Sequence, residues 1–265
     1  MVNVAARLDL DKIVEGLNPD FVDEKKKIKM KGGNKLERVC RKYEQFCKIV
    51  LAQLKQADAR FVRNPRSRFH GLRVSEVLSP VEINSFVQSK LLDDDPVFES
   101  GVFLSKLIQN SYAAGYNDFQ ITLDCAIPFP NYLEGKKNNL LKIVVEGGIG
   151  NGAEHLTFVD LTVSGRCQSI GNWTSYSSIT AHGDVAEYSC YQACDSIFTF
   201  HGKVCLDDSC EPPYTDYAEQ SQRCVFKTSD LETLTHCVKR IDKNCHKIYF
   251  IHPDGSEELK REDHG

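Results

Sequence analysis

Two histidines occupy matching places in this chain. His182 and His201 each precede a glycine, in the segments Ile179-Thr-Ala-His-Gly183 and Phe198-Thr-Phe-His-Gly202. Neutral imidazole is a common ligand for divalent transition metals and a common general base. With Asp184 two residues past His182, and Glu146 at the same place in an earlier segment, the pair is a candidate for a metal or for acid/base work. Weighed against this, a stacked ladder of like side chains is ordinary in repeated strands, so the sequence implies no catalytic residue and no resident cofactor.

The cysteines say less. There are 11 of them, scattered and odd in number. Cys190-x3-Cys194 and Cys205-x4-Cys210 have spacings zinc could tolerate, but neither is a C-x-x-C and the two pairs fall in different repeats. Buried intracellular thiols pack as small hydrophobes, which is the reading expected here, including for Cys194, eleven positions past Gly183 where Phe158 and Tyr176 stand in the earlier coils. No G-x-S-x-G, P-loop or H-E-x-x-H pattern exists.

The third cluster is basic. Arg60, Arg63, Arg66, Arg68 and Arg73 alternate with Phe61, Asn64, Phe69 and His70, and arginines interleaved with rings hold phosphate backbones and unpaired bases. Upstream lie Lys25, Lys26, Lys27, Lys29, Lys31, Arg38, Arg41 and Lys42. Between Glu24 and Arg73 there are 16 Lys and Arg against four acids, although the whole chain has a net charge of -4. Such asymmetry points to an anionic partner, or to a basic segment lying on its own acidic body. No RNA-recognition or KH signature accompanies it.

Several elements must position these groups. Residues 1–34 read as a basic arm or linker containing a short amphipathic stretch, Leu8 to Leu17. From Leu36 to Ala59, Val39, Phe46, Ile49, Val50 and Leu54 recur at helical spacing. Ser79-Pro80-Val81-Glu82 is a helix start, with Ser as cap and Pro at the first helical position, predicting a helix to about Leu92. Asp95-Pro96 opens another, to about Ala114. These helices make residues 35–117 a helical region.

Beyond them the period changes. Ile143-Val-Val-Glu-Gly147, Leu161-Thr-Val-Ser-Gly165, Ile179-Thr-Ala-His-Gly183 and Phe198-Thr-Phe-His-Gly202 superpose, their glycines 18, 18 and 19 residues apart. Four alternating segments in constant phase mark a solenoid, because each coil buries its apolar face only against its neighbours. Ile143, Leu161, Ile179 and Phe198 then face inward with Val145, Val163, Ala181 and Phe200. A further inward column is Ile149, Cys167, Val185 and Val204. Val144, Thr162, Thr180 and Thr199 face outward, beside Glu146, Ser164, His182 and His201. Eight residues past the glycines stand His155, Trp173 and Tyr191, a ring column whose direction periodicity does not fix: facing outward it would stack a ligand or base, and facing inward, the favoured reading, it would fill a corner of the core.

The repeat extends back to Ile121-Thr-Leu-Asp-Cys125, with an insertion around 133–139. Forward it decays into a cap, residues 211–265, with strands at Cys224 to Thr228 and Lys247 to Ile251 around a helix from Leu231 to Ile241. The fold class is therefore α+β: an N-terminal helical region, a single-stranded parallel β-solenoid over 118–210, and a C-terminal α/β cap.

These φ-x-φ-x-G coils, over residues 118–205, resemble the GXGXG β-solenoid found in the large subunit of glutamate synthase and in formylmethanofuran dehydrogenase. Gly148, Gly150, Gly152 and Gly171 match its glycine-rich turns, and the later coils carry polar segments instead. In that family the solenoid is chiefly a structural and interaction module, so the resemblance implies architecture and transfers no catalytic residue.

Two readings follow. The first is a non-catalytic binding or scaffold protein whose basic N-terminal region engages an anionic partner, a protein, RNA or a ribonucleoprotein. The second is an enzyme, or a subunit of a larger oxidoreductase or amidotransferase complex, that uses the coil face of His182 and His201. An acidic N-terminus and the lack of a long apolar run imply a soluble, cytoplasmic chain without a membrane partner. Nothing in the sequence indicates an oligomeric state.

Overall fold

The structure is a computed structural model and describes residues 35–56, 74–91, 98–123, 129–150, 152–186, 189–204, 221–241 and 246–263. Its organising element is one eight-stranded sheet whose spatial order follows the chain, β1 to β8. The strands are β1 (Asp118–Thr122), β2 (Leu141–Glu146), β3 (Val159–Val163), β4 (Ser178–Ala181), β5 (Ile197–Phe200), β6 (Val225–Thr228), β7 (Lys247–Ile251) and β8 (Glu257–Glu262). The first seven pair in parallel and β8 turns back antiparallel on β7.

Alternation dictates what the sheet buries. Phe119, Ile143, Leu161, Ile179, Phe198, Phe226 and Ile248 pair strand to strand in one column and are all at most 1% exposed. Ile149, Cys167, Val185 and Val204 form a second wall through single parallel bridges, all buried. Burial pushes the Cys167 thiol up to about 12, as expected of a core residue. The parallel stack also runs on past the glycine repeats, since β6 and β7 continue both the sheet and its inward column.

At the end of each repeat strand the coils approach closely. A Cβ built on Gly165 would lie 2.5 Å from the Gly147 carbonyl carbon, one on Gly183 2.4 Å from that of Gly165, and one on Gly202 2.4 Å from that of Gly183. Backbone atoms cannot give way as a flexible side chain can, so the column admits glycine alone.

The corners are made by left-handed residues. Ala153, Gly171 and Cys190 form one column with positive φ; His155, Trp173 and Gln192 form a second, and Phe158, Tyr176, Asp195 and Arg223 a third. Buried serines satisfy the backbone there. Ser177 Oγ accepts from Val159 N (3.0 Å) and donates to the Ser175 carbonyl (2.9 Å), and Ser196 Oγ repeats the pattern with Ser177 N (3.3 Å) and the Cys194 carbonyl (2.8 Å). The extra residue of the 19-residue coil falls between Val185, still level with Cys167, and Cys190, level with Gly171.

Helices close the first coil. They are α1 (Lys35–Gln56), α2 (Pro80–Phe86, prolonged by a π turn over Val87–Leu91) and α3 (Phe98–Ala113). Ser79 caps α2 as expected: its Oγ accepts from Glu82 N (3.3 Å) and Glu82 Oε2 accepts from Ser79 N (2.7 Å). Tyr43, Phe46, Phe86 and Phe103 pack with ring centroids 5.2 to 5.7 Å apart. On α1 the expected apolar face is corrected: Ile49 is 58% exposed and Tyr43 is buried instead, because Val39, Tyr43 and Phe46 lie on the stripe that meets α2 and α3.

The free edge of β1 is met by amides. Asn84 Oδ1 accepts from Thr122 N (2.9 Å) and Gln88 Nε2 donates to the Thr122 carbonyl, so two side chains of α2 and its π turn replace a missing strand. At the other end α4 (Leu231–Arg240), capped by Asp230, packs on β6 and β7. His246 is fully buried there; its Nδ1 accepts from Cys224 N (3.1 Å), and burial keeps its pKa below the ordinary imidazole range.

Gly183→Ala should therefore cost about 1–3 kcal/mol, as overpacking does. Urea unfolding followed by circular dichroism should show a lowered midpoint, and an unchanged one would mean that the coils are not stacked this closely.

Candidate functional site

The residues singled out in the sequence part company in the structure. Lys25, Lys26, Lys27, Arg60, Arg63, Arg66, Arg68 and Arg73 lie outside the described residues, as do the Leu8 to Leu17 stretch, Asp95-Pro96, Cys125 and the pair Cys205 and Cys210. The described part of the basic segment is α1. There Arg38, Arg41 and Lys48 are exposed, while Lys42 pairs with Glu76 and Arg41 with Glu37 (3.6 Å). Part of the basic surplus is thus neutralised within the fold.

His182 and His201 do come together. Their rings stack on the outer face with centroids 4.8 Å apart and planes within 6°. Partial burial, and then the neighbouring His182, hold His201 below the ordinary imidazole range. Asp184 does not join them: its Oδ1 accepts from Lys203 N (2.9 Å), which fastens one coil's turn to the next. Glu146 lies two coils away, accepting from Gln120 Nε2 (2.6 Å). Among the described residues no three His, Cys, Asp or Glu converge as a metal site.

Two expectations about packing need correction. Cys194 is not core: its Sγ donates to Asp195 Oδ2 (3.1 Å) and lies 3.1 Å from Arg223 Nη2. The residue added before Cys190 shifts the register, so Asp195, not Cys194, stands level with Phe158 and Tyr176. Desolvation and the Asp195 carboxylate push the Cys194 thiol up, which keeps it protonated and a poor nucleophile.

The ring column faces outward rather than filling a corner. Tyr132 stacks on His155 (4.5 Å, 15°), and His155 on Trp173 (4.8 Å, 4°), with Trp173 39% exposed. Trp173 then meets Tyr191 edge-on (5.5 Å, 86°), and its Nε1 donates to Gln192 Oε1 (2.7 Å).

A second column runs beside it. Phe158 stacks on Tyr176 (5.2 Å, 16°), and Tyr176 is 53% exposed. Below Tyr176 stands Asp195, held in a two-point grip by Arg223 through Nε (2.8 Å) and Nη2 (2.7 Å). Sequence reading aligned Phe158 with Tyr176 but took the position for packing, not for an outward column; His155-x2-Phe158 recurs as Trp173-x2-Tyr176, 18 residues on.

Stacked rings spend their faces on one another. What the corner offers outward is a row of ring edges, positively polarised C–H groups. Such a strip suits carbonyls and aliphatic groups laid across it better than bases slipped between its members.

The architecture is that of a capped parallel β-solenoid carrying an aromatic corner. No protein-family model, curated protein or solved structure matches the chain. Among the described residues no helix is long and apolar enough to cross a membrane.

The Arg223 guanidinium holds the Asp195 carboxyl at about 2. A carboxylate depressed on folding contributes stability above its unfolded pKa and loses it as pH falls through its folded one. Arg223→Ala should raise the Asp195 pKa toward the ordinary carboxylate range, with the Cys194 and Tyr176 hydrogen bonds still lowering it, read from its carboxyl carbon shift against pH, with a small effect on acid unfolding because the pair is exposed. An Asp195 titration unmoved by the substitution would show that the grip does not form.

Proposed function

We propose that this chain is a soluble, cytoplasmic, non-catalytic binding protein. Its rigid solenoid presents the aromatic corner to a partner, and its basic N-terminal region engages an anionic surface on that partner, an acidic protein or a ribonucleoprotein. The observation that carries this reading is the outward ring strip of Tyr132, His155, Trp173, Phe158 and Tyr176.

Left-handed φ is unfavourable for non-glycine residues by about 1–2 kcal/mol each, and Asn or Gly would fill those turns at less cost. Large rings there make a rigid apolar surface, of the residue types that dominate protein interfaces. Exposed Arg38, Arg41 and Lys48 put part of the basic composition of residues 24–73 on the surface of α1. Seven cysteines free among the described residues suit a reducing compartment. The resemblance to solenoids that serve as interaction modules agrees with the same reading.

The test is a pull-down with the tagged full-length chain from its native cell at low and high salt, with and without ribonuclease. Replacing Arg60, Arg63, Arg66, Arg68 and Arg73 with Gln should abolish the salt-sensitive part of partner retention. Trp173→Ala with Tyr176→Ala should weaken the remainder at least tenfold, about 1.4 kcal/mol. Retention of the same partners by both variants, with the same salt dependence, would overturn the proposal.

A further inference from the structure

The outer face of the sheet carries a second arrangement that partner binding at the corner does not use. The column Glu146, Ser164, His182, His201 is set by the coil register: His182 N donates to the Val163 carbonyl and His201 N to the Ala181 carbonyl, both at 2.9 Å. Ser229 follows on the next coil, its Oγ 3.4 Å from His201 Nδ1. The two imidazoles therefore sit just past the ends of adjacent strands of one sheet, exposed, parallel and 4.8 Å apart. Neither is drawn into an ion pair among the described residues, and no hydrogen bond holds the ring nitrogens of His182.

We propose that His182 and His201 form a two-imidazole grip for a borderline divalent transition metal of the Ni2+, Cu2+ and Zn2+ group. These ions take imidazole nitrogen at roughly 2.0–2.1 Å. Both nitrogens of a chelate must then come within about 3 Å of each other, a separation set by that bond length. Stacked rings reach it by tilting about χ2, a broad torsion in histidine. The backbone need not move, because the strands already hold the two side chains side by side.

The surroundings favour a cation. Lys203, two residues past His201, is held by Glu232 (3.3 Å), with Asp184 and Asp230 also close to it. Ser164 and Ser229 flank the pair without charge. With two protein donors the ion keeps its other positions for water, so the site belongs to the exchangeable, surface kind.

The experiment is calorimetric titration of the full-length chain with Ni2+, after chelator dialysis and alkylation of accessible thiols. A second fixed imidazole should raise affinity on the order of a hundredfold over a single one. The wild-type chain should take up one Ni2+ at this site. His182→Ala and His201→Ala should each weaken it at least tenfold, and the double variant should lose little more than either single one.

His182→Gln and His201→Gln keep the bulk of the ladder and should behave like the alanine variants, with circular dichroism confirming the fold. His252→Ala removes an exposed imidazole that already lies 3.1 Å from Glu258 and should leave uptake unchanged. Single variants that bind Ni2+ as the wild type does, or wild-type binding no tighter than that of one imidazole, would overturn the proposal.

Discussion

The closeness of one coil's backbone to the next at the glycine column constrains everything else in the molecule. With no room for a Cβ between Gly147, Gly165, Gly183 and Gly202, the strands must stack directly and in register. Register then decides which side chains meet. It sends Ile143, Leu161, Ile179 and Phe198 inward as one column and leaves Val144, Thr162, Thr180 and Thr199 as another outside. The ring stacks and the histidine pair are consequences of this translation, since any residue repeated at a fixed place in the coil is laid on its copy about 4.8 Å away.

Corners work by a different balance. Three left-handed positions per coil bend the chain, each at some cost to a residue with a side chain. Ring stacking gives back about 0.5–1.5 kcal/mol per pair, and the serine hydroxyls that join Val159 to Ser175 and Ser177 to Cys194 give back the backbone bonds the turn would otherwise lose. Where the ring succession ends, Asp195 and Arg223 occupy the same column as an ion pair, so the coil geometry persists although the side-chain chemistry changes.

An open parallel stack has two exposed edges, and the two ends solve the problem differently. Asn84 and Gln88, one turn apart on α2 and its π continuation, present an acceptor and a donor to Thr122 and imitate a neighbouring strand. At the far end β8 folds back on β7 with charged residues at five of its six positions, tied by Lys227–Glu257 (2.7 Å) and Lys247–Glu262 (2.7 Å). A charged, short terminal strand discourages further pairing.

Much of this was legible in the residues. Period and alternation named the inward columns one by one, Ser79-Pro80-Val81-Glu82 named a helix start, and the Leu231 to Ile241 helix lies where expected, because these signals are local or translational. Tertiary structure alone decided what depends on turn direction and on where an inserted residue is absorbed. Periodicity aligned His155 with Trp173 but could not say which way the two rings face. It also placed Tyr191 and Cys194 in columns that in fact belong to Gln192 and Asp195, because the added residue lies before Cys190. The amides that close β1 gave no sequence signal either, since Asn84 and Gln88 acquire their role only when α2 meets an edge formed many residues later.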